Sequence, residues 1–212
     1  MKKTALMLVA LLGMFVAQAQ IPAEVTDVMN RCKAAMTNPS GIEYEMNMKA
    51  GMGIISMNIY VVNATKGTKH RTTVSTKVLG IEVTTEDGFN GTESWHITHT
   101  DEADTITISR GPSNTKLKGE LEWDYAKRYK KAKMKVSDGY YVITFSEPVD
   151  KSNEAKSVVI KVSTKNYTVH EIKSGARGAK VTMTITKIRV GLSDNYFKLD
   201  LDRYPNAVVI RN

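Results

Sequence analysis

Residues 42–61 read Ile42-Glu43-Tyr44-Glu45-Met46-Asn47-Met48-Lys49-Ala50-Gly51-Met52-Gly53, then Ile54-Ile55-Ser56-Met57-Asn58-Ile59-Tyr60-Val61. Tyr44, Met46, Met48 and Ala50 alternate with Glu43, Glu45, Asn47 and Lys49. Ile55, Met57, Ile59 and Val61 alternate with Ser56, Asn58 and Tyr60. A period of two predicts half-buried strands, and the glycines around Met52 predict a turn over Gly51-Met52-Gly53. The pattern gives an antiparallel pair with one apolar face and one polar face.

The same rhythm continues along the chain. After a turn at Lys66-Gly67 it covers residues 68–75, then Leu79, Ile81 and Val83. A turn over Asp87-Gly88-Phe89-Asn90-Gly91 leads to Trp95 and Ile97, and then to Ile106 and Ile108. Further strands carry Tyr141, Ile143 and Phe145, then Val158, Ile160 and Val162, and finally Val181, Met183 and Ile185. Short turns join about ten such strands, with no βαβ rhythm. The expected fold is mainly β with helices (α+β). It is one large antiparallel sheet of about ten strands with one apolar face, which either closes into a barrel or leaves a hollow that the helices cover.

Two stretches read as helical. In residues 22–36, Val25, Val28, Met29, Cys32, Ala35 and Met36 recur at spacings of three and four. Pro22 sits near the start and Asn38-Pro39-Ser40-Gly41 after the end. Over 115–131, Leu117, Leu121, Tyr125 and Tyr129 recur every four residues. Lys127, Arg128, Lys130, Lys131 and Lys133 would enrich the carboxyl end of that helix.

The amino terminus reads as an export signal. Lys2 and Lys3 precede an apolar run over residues 6–16, and Ala17-Gln18-Ala19 places small residues where a signal peptidase reads. Cleavage after Ala19 divides the chain into a signal peptide, 1–19, and one domain, 20–212. The apolar run is too short to span a bilayer, for which about 20 residues are needed. The single cysteine, Cys32, makes an intrachain disulfide impossible and stands 13 residues from the predicted cleavage site, too far to carry a lipid anchor there. The expectation is a soluble periplasmic protein.

The chain of 212 residues carries 30 Lys+Arg against 22 Asp+Glu, a formal charge of +8. That excess suits anionic membrane surfaces or acidic partners. Nucleic acid is not an expected partner, because no motif for it is present.

Signals for catalysis are sparse. His96 and His99 are three apart on one predicted strand and point to opposite faces, so they do not share a metal. Asp101, Glu102 and Asp104 read as solvated turn carboxylates. Cys32 lies inside the apolar stripe of its helix and reads as a buried thiol. No nucleophile elbow or phosphate loop is found. No enzyme, cofactor or metal site is expected. Asp104-Thr105-Ile106 matches a three-residue O-glycan acceptor, a pattern short enough to arise by chance.

The methionines are unevenly placed. Met29, Met36, Met46, Met48, Met52 and Met57 crowd into the first helix and the two strands after it. Flexible, polarizable Met suits a surface that must fit variable apolar partners, and it also fills ordinary cores. Periodicity does not separate the two. Lys127, Arg128, Lys130 and Lys131 are likewise either a solvated helix end or a docking surface for anionic headgroups or an acidic protein.

Residues 192–210 add specificity: Leu192-Ser193-Asp194-Asn195-Tyr196-Phe197-Lys198-Leu199, then Asp200-Leu201-Asp202-Arg203-Tyr204-Pro205-Asn206-Ala207-Val208-Val209-Ile210. An Asp ahead of Phe-x-Leu, then Tyr-Pro and a closing Val-Ile, resembles the carboxyl end of LolA-like periplasmic carriers of outer-membrane lipoproteins. The order of elements agrees along nearly the whole mature chain. The resemblance implies a single curved antiparallel sheet, an incomplete β-barrel of about ten to eleven strands covered by helices and enclosing an apolar cavity that shields lipoprotein acyl chains. It implies an inner-membrane donor, an outer-membrane acceptor, transient membrane contact and a monomer. The lining candidates are then the inward residues Tyr44, Met46, Met48, Met57, Ile59, Ile81, Val83, Trp95, Ile97, Tyr141, Ile143, Ile160, Met183 and Ile185. A relative acting as an envelope adaptor or assembly protein, without lipid transport, is the alternative.

Overall fold

The computed structural model describes residues 21–52, 55–78, 81–100, 103–112, 121–152, 155–176 and 179–212. Among them, helix α1 spans Ala23–Met36 and the single-turn α2 spans Tyr125–Arg128. Twelve strands form one sheet. They are β1 Ile42–Met52, β2 Ile55–Lys66, β3 Lys69–Val78, β4 Ile81–Phe89, β5 Glu93–His99, β6 Thr105–Arg110, β7 Tyr129–Ser137, β8 Tyr140–Pro148, β9 Ser157–Ser163, β10 Val169–Ala176, β11 Ala179–Val190 and β12 Val208–Arg211. Their spatial order is β12-β6-β5-β4-β3-β2-β1-β11-β10-β9-β8-β7.

The order explains the shape. Strands β1 to β6 step outward from the middle by consecutive hairpins. Strands β7 to β11 start at the opposite margin and step back until β11 pairs with β1. The sheet is curved and open, with β12 and β7 at its two margins. The connection through α2 therefore joins strands near opposite margins. The pairing is antiparallel except at β12. This strand lies parallel to β6, with Val208 N–H donating to Asp104 O at 2.9 Å and Asn212 N–H to Ile108 O at 3.0 Å.

Each face has its own cover. On the inner face, α1 lays Val25, Val28, Met29, Cys32 and Met36 against Met46, Val61, Ile143, Phe145, Ile160, Val162 and Ile185. The spacing of three and four puts these helix residues on one stripe, so a single helix closes that part of the core. On the outer face, the chain after β11 returns across the sheet. Leu199, Leu201, Tyr204 and Ala207 pack on Trp95, Ile97, Ile106 and Ile108, while Leu192 and Phe197 pack with Ala64. Each large apolar side chain so buried contributes roughly 1.5–3 kcal/mol. Gly41 makes the return possible. It has φ +89°, and a Cβ there would stand 2.9 Å from Leu192 Cβ.

Three sequence expectations need correction. Of the helix expected over 115–131, the described part from Leu121 holds a single turn, Tyr125–Arg128, and from Tyr129 the chain is strand β7. The recurrence of Leu121, Tyr125 and Tyr129 marks burial, and all three are buried. Ala132, Met134 and Val136 alternate with Lys131, Lys133 and Lys135, and that shorter period decides the conformation. Residues 113–120, with Leu117, lie outside the described residues, as do Leu79, Asp101 and Glu102. Next, Gly51 and Met52 belong to β1, which pairs Met52 with Ile55. Finally, Asp87, Gly88 and Phe89 are the end of β4. The turn begins at Asn90, whose Oδ1 accepts from Thr92 N–H and Glu93 N–H at 2.8 Å each.

Candidate functional site

Strand pairing sorts the expected lining residues by face. Met46 stands opposite Val61 and Ile185, Met48 opposite Ile59 and Met183, and Ala50 opposite Met57 and Val181. Ile59 pairs with Thr76, and Thr76 with Val83, which carries the same face to Ile81. On the other side Met134, Ile143 and Ile160 form one row, and Tyr141 stands opposite Val162. Thus Tyr44, Met46, Met48, Met57, Ile59, Ile81, Val83, Tyr141, Ile143, Ile160, Met183 and Ile185 share the inner face. Trp95 and Ile97 do not. They stand opposite Gly88 and Glu86 on the outer face, beneath the returning carboxyl-terminal segment. Alternation along β5 was read correctly. Its phase relative to β1 was not legible, because the intervening strands carry threonines on both faces.

The inner face is covered unevenly. Under α1, Met46, Ile143 and Phe145 are 0 % exposed. Farther along the same strands Met48, Ile59 and Met183 are half-buried, Met57 is 39 % exposed, Ile81 57 % and Val83 36 %. A cleft of about 380 Å³ over β1–β4 opens on the other face: strand register places its lining residues Asn47, Lys49, Asn58, Tyr60, Ser75, Lys77 and Glu82 on the outer side of the sheet. Ile172 joins the strip as the partner of Met183. Sequence reasoning passed over it because Ile172 is a lone aliphatic among Glu171, Lys173 and Ser174.

A buried polar chain borders this face. Thr72 Oγ1 donates to Asn63 Oδ1 at 2.8 Å, and Asn63 Nδ2 donates to the Tyr44 hydroxyl. Satisfying these groups inside the sheet avoids a desolvation penalty and fixes the register of β1, β2 and β3.

The outer face carries a clasp that sequence reasoning noticed only as a resemblance. Asp194 sits between Lys66 Nζ at 2.9 Å and Lys69 Nζ at 3.0 Å, and these hold its carboxyl down at about 2. The Tyr196 hydroxyl donates to Glu43 Oε2, which also receives Arg189 Nη2 at 3.0 Å. Arg71 donates to Tyr196 O at 3.3 Å and to Glu86 Oε2 at 2.8 Å. Burial, followed by the bond to Glu43, pushes the Tyr196 phenol up to about 12. The Asp-x-Tyr-Phe pattern therefore works as anchorage: charge at Asp194, a neutral donor at Tyr196, and a 0 % exposed ring at Phe197.

Among the described residues two histidine–carboxylate pairs stand separately. His96 Nδ1 lies 2.8 Å from Asp87 Oδ1 on the inner face, and His99 Nδ1 lies 3.0 Å from Asp104 Oδ1 on the outer face. Among the described residues no three His, Cys, Asp or Glu gather as metal ligands. Cys32 is buried, and desolvation raises its thiol to about 12. Thr105 is half-buried inside β6, between partners Thr98 and Val208.

The expected docking residues divide between two elements. Lys127 and Arg128 end α2, where Lys127 Nζ lies 3.5 Å from Asp124 and Arg128 pairs with Glu122. Lys130 and Lys131 begin β7, and Lys131 pairs with Glu147.

No protein-family model and no curated protein matches the chain. Solved structures do. A conserved protein of Thermus thermophilus matches at 7 % identity over 89 % of this chain and 99 % of that one, with a TM-score of 0.51. The LolA superfamily protein NE2245 of Nitrosomonas europaea matches at 10 % identity over 82 % and 97 %, TM-score 0.39. LprF of Mycobacterium bovis matches at 9 % identity over 79 % and 95 %, TM-score 0.46. At these identities the likeness is one of fold alone, and the match to the Thermus thermophilus protein carries it.

Proposed function

We propose that the protein is a non-enzymatic periplasmic carrier, released from its signal peptide after Ala19. It shelters acyl chains of lipoproteins or other lipids on the inner face of its sheet and moves them toward the outer membrane. The observation that carries this reading is the uneven cover of one continuous apolar face. Met46 is fully buried under α1, while Met57, Ile81 and Val83 on the same face are exposed. Each CH₂ withdrawn from water gains roughly 0.8 kcal/mol, so acyl chains need such a shelter to cross an aqueous compartment. Met48, Met57 and Met183 supply flexible contacts for chains of varied shape. The transfer requires no catalytic group.

A second reading is an envelope adaptor of the same fold without lipid transport. It is favoured by the close packing under α1, which leaves a ligand only the strip beyond Met46. A fluorescent fatty acid or lipopeptide titration separates the two. The carrier reading expects saturable binding by the wild type and its loss in Met57→Glu, with the thermal melt unchanged. Lipid found by mass spectrometry in protein purified without detergent supports it further. A wild type that binds no such probe and purifies without lipid would leave the adaptor reading. Intact mass checks the processing: a chain retaining residues 1–19 overturns the export assignment.

A further inference from the structure

The outer face of the β7–β11 half carries a lattice of lysines that the lipid-binding reading does not use. Strand register places them in rows. One row crosses Lys133, Thr144, Val159, Lys173, Thr182 and Lys49 on β7, β8, β9, β10, β11 and β1. The row on one side holds Lys135, Lys161 and Glu171, and the row on the other holds Lys131 and Lys180. The lysines come from sequence positions far apart, so the basic stretch at residues 127–135 shows only one margin of the lattice. Glu171 is the acidic residue within the rows, 3.0 Å from both Lys161 and Lys173. Glu147 lies at the margin beside Lys131. Six strands at about 4.8 Å spacing make the lattice about 24 Å wide. The covering carboxyl-terminal segment packs instead around Ala64 and on the β5–β6 half.

We infer that this face docks on a bilayer surface rich in anionic phospholipid headgroups. The charge excess selects an anionic partner, and the composition selects a lipid surface over a protein. Protein interfaces concentrate aromatic residues and Arg at their centres and are depleted in Lys. Besides Glu171, the three rows between β7 and β1 contain Lys with Thr, Ser, Val, Asn and Gly between, and no aromatic or Arg. Strongly hydrated ammonium groups on flexible stems suit a fluid array of phosphates, which needs no fixed complementary shape. Docked this way, the protein turns α1 and the inner face away from the bilayer, toward a protein donor or acceptor.

The test is co-sedimentation of the intact protein with vesicles containing about 30 % phosphatidylglycerol in phosphatidylcholine, against pure phosphatidylcholine. The expected result is binding to the anionic vesicles alone, weakening as salt rises from about 50 to about 500 mM. Lys49→Glu/Lys133→Glu should weaken binding at least tenfold, since each lysine near such a surface contributes about a fivefold factor. Lys33→Glu/Lys198→Glu makes the same change in net charge on exposed positions outside the lattice and should retain most of the binding. Circular dichroism checks that both variants fold. Equal losses in the two variants, or no binding of the wild type to anionic vesicles, overturn the inference. Uptake of the fluorescent acyl probe should be unchanged in Lys49→Glu/Lys133→Glu, so failure of lipid carriage and failure of docking are read separately.

Discussion

The indole of Trp95 lies directly against Gly88 on the neighbouring strand, where a Cβ would fall 2.1 Å from Trp95 Cζ2. Glu86, two residues earlier on the same face of β4, accepts the indole N–H at 3.0 Å. The ring is thus held flat between a strand without a side chain and the Leu199–Ala207 segment above it. Gly88→Ala is expected to displace the ring and cost at least the 1–3 kcal/mol typical of overpacking. A melting point lowered by about 2–4 °C per kcal/mol, with altered tryptophan fluorescence, checks this. An unchanged melt would show that the ring has room to move.

Asp194 gives the clasp a pH dependence. Its carboxyl is held down at about 2 by Lys66 and Lys69, against about 3.9 in an unfolded chain. A depressed carboxylate contributes stability above its unfolded pKa and loses it as pH falls toward its folded pKa. Wild type should therefore melt above Asp194→Asn at pH 5, and the gap should close between about pH 4 and pH 2. A gap constant across that window would mean that the two lysines do not hold Asp194 in solution.

How much was legible follows from what each signal measures. The period of two in Tyr44, Met46 and Met48 identifies strands from local alternation, and the stripe from Val25 to Met36 identifies α1. Both depend on neighbours in sequence. The phase between distant strands is a property of pairing. Trp95 and Ile97 were therefore grouped with Met46 although they face the other way. Tyr129 was drawn into a helix because burial recurred every four residues up to it, while the alternation of Lys131, Lys133 and Lys135 with Ala132, Met134 and Val136 began just after. The Asp194–Phe197 stretch was recognisable as a pattern, but Lys66, Lys69 and Glu43, which give it meaning, are more than a hundred residues away.

Cys32 should be inert. Burial alone raises its thiol to about 12, so almost no thiolate is present at neutral pH. A colorimetric disulfide reagent at pH 8 is expected to leave the native protein unmodified and to react at once with one thiol per chain in denaturant. Rapid labelling of the native protein would show α1 lifting from the sheet, because Cys32 lies inside that contact.

Met46 and Met57 offer the sharpest comparison on the inner face. They are on adjacent strands and face the same way, yet one is 0 % and the other 39 % exposed. A carboxylate at Met46 would replace apolar volume under α1 with no described cation there to meet it. It would either cost several kcal/mol or hold its proton to a higher pH. At Met57 the carboxylate reaches water, and the change should stay within about 0.5 kcal/mol. Met46→Glu is therefore expected to collapse the cooperative melt at pH 7, with partial recovery near pH 5 as the new carboxyl is protonated. Met57→Glu should melt as the wild type does at both values. If Met57→Glu destabilises as severely as Met46→Glu, the strip beyond α1 is packed core, and no acyl chain has room to lie there.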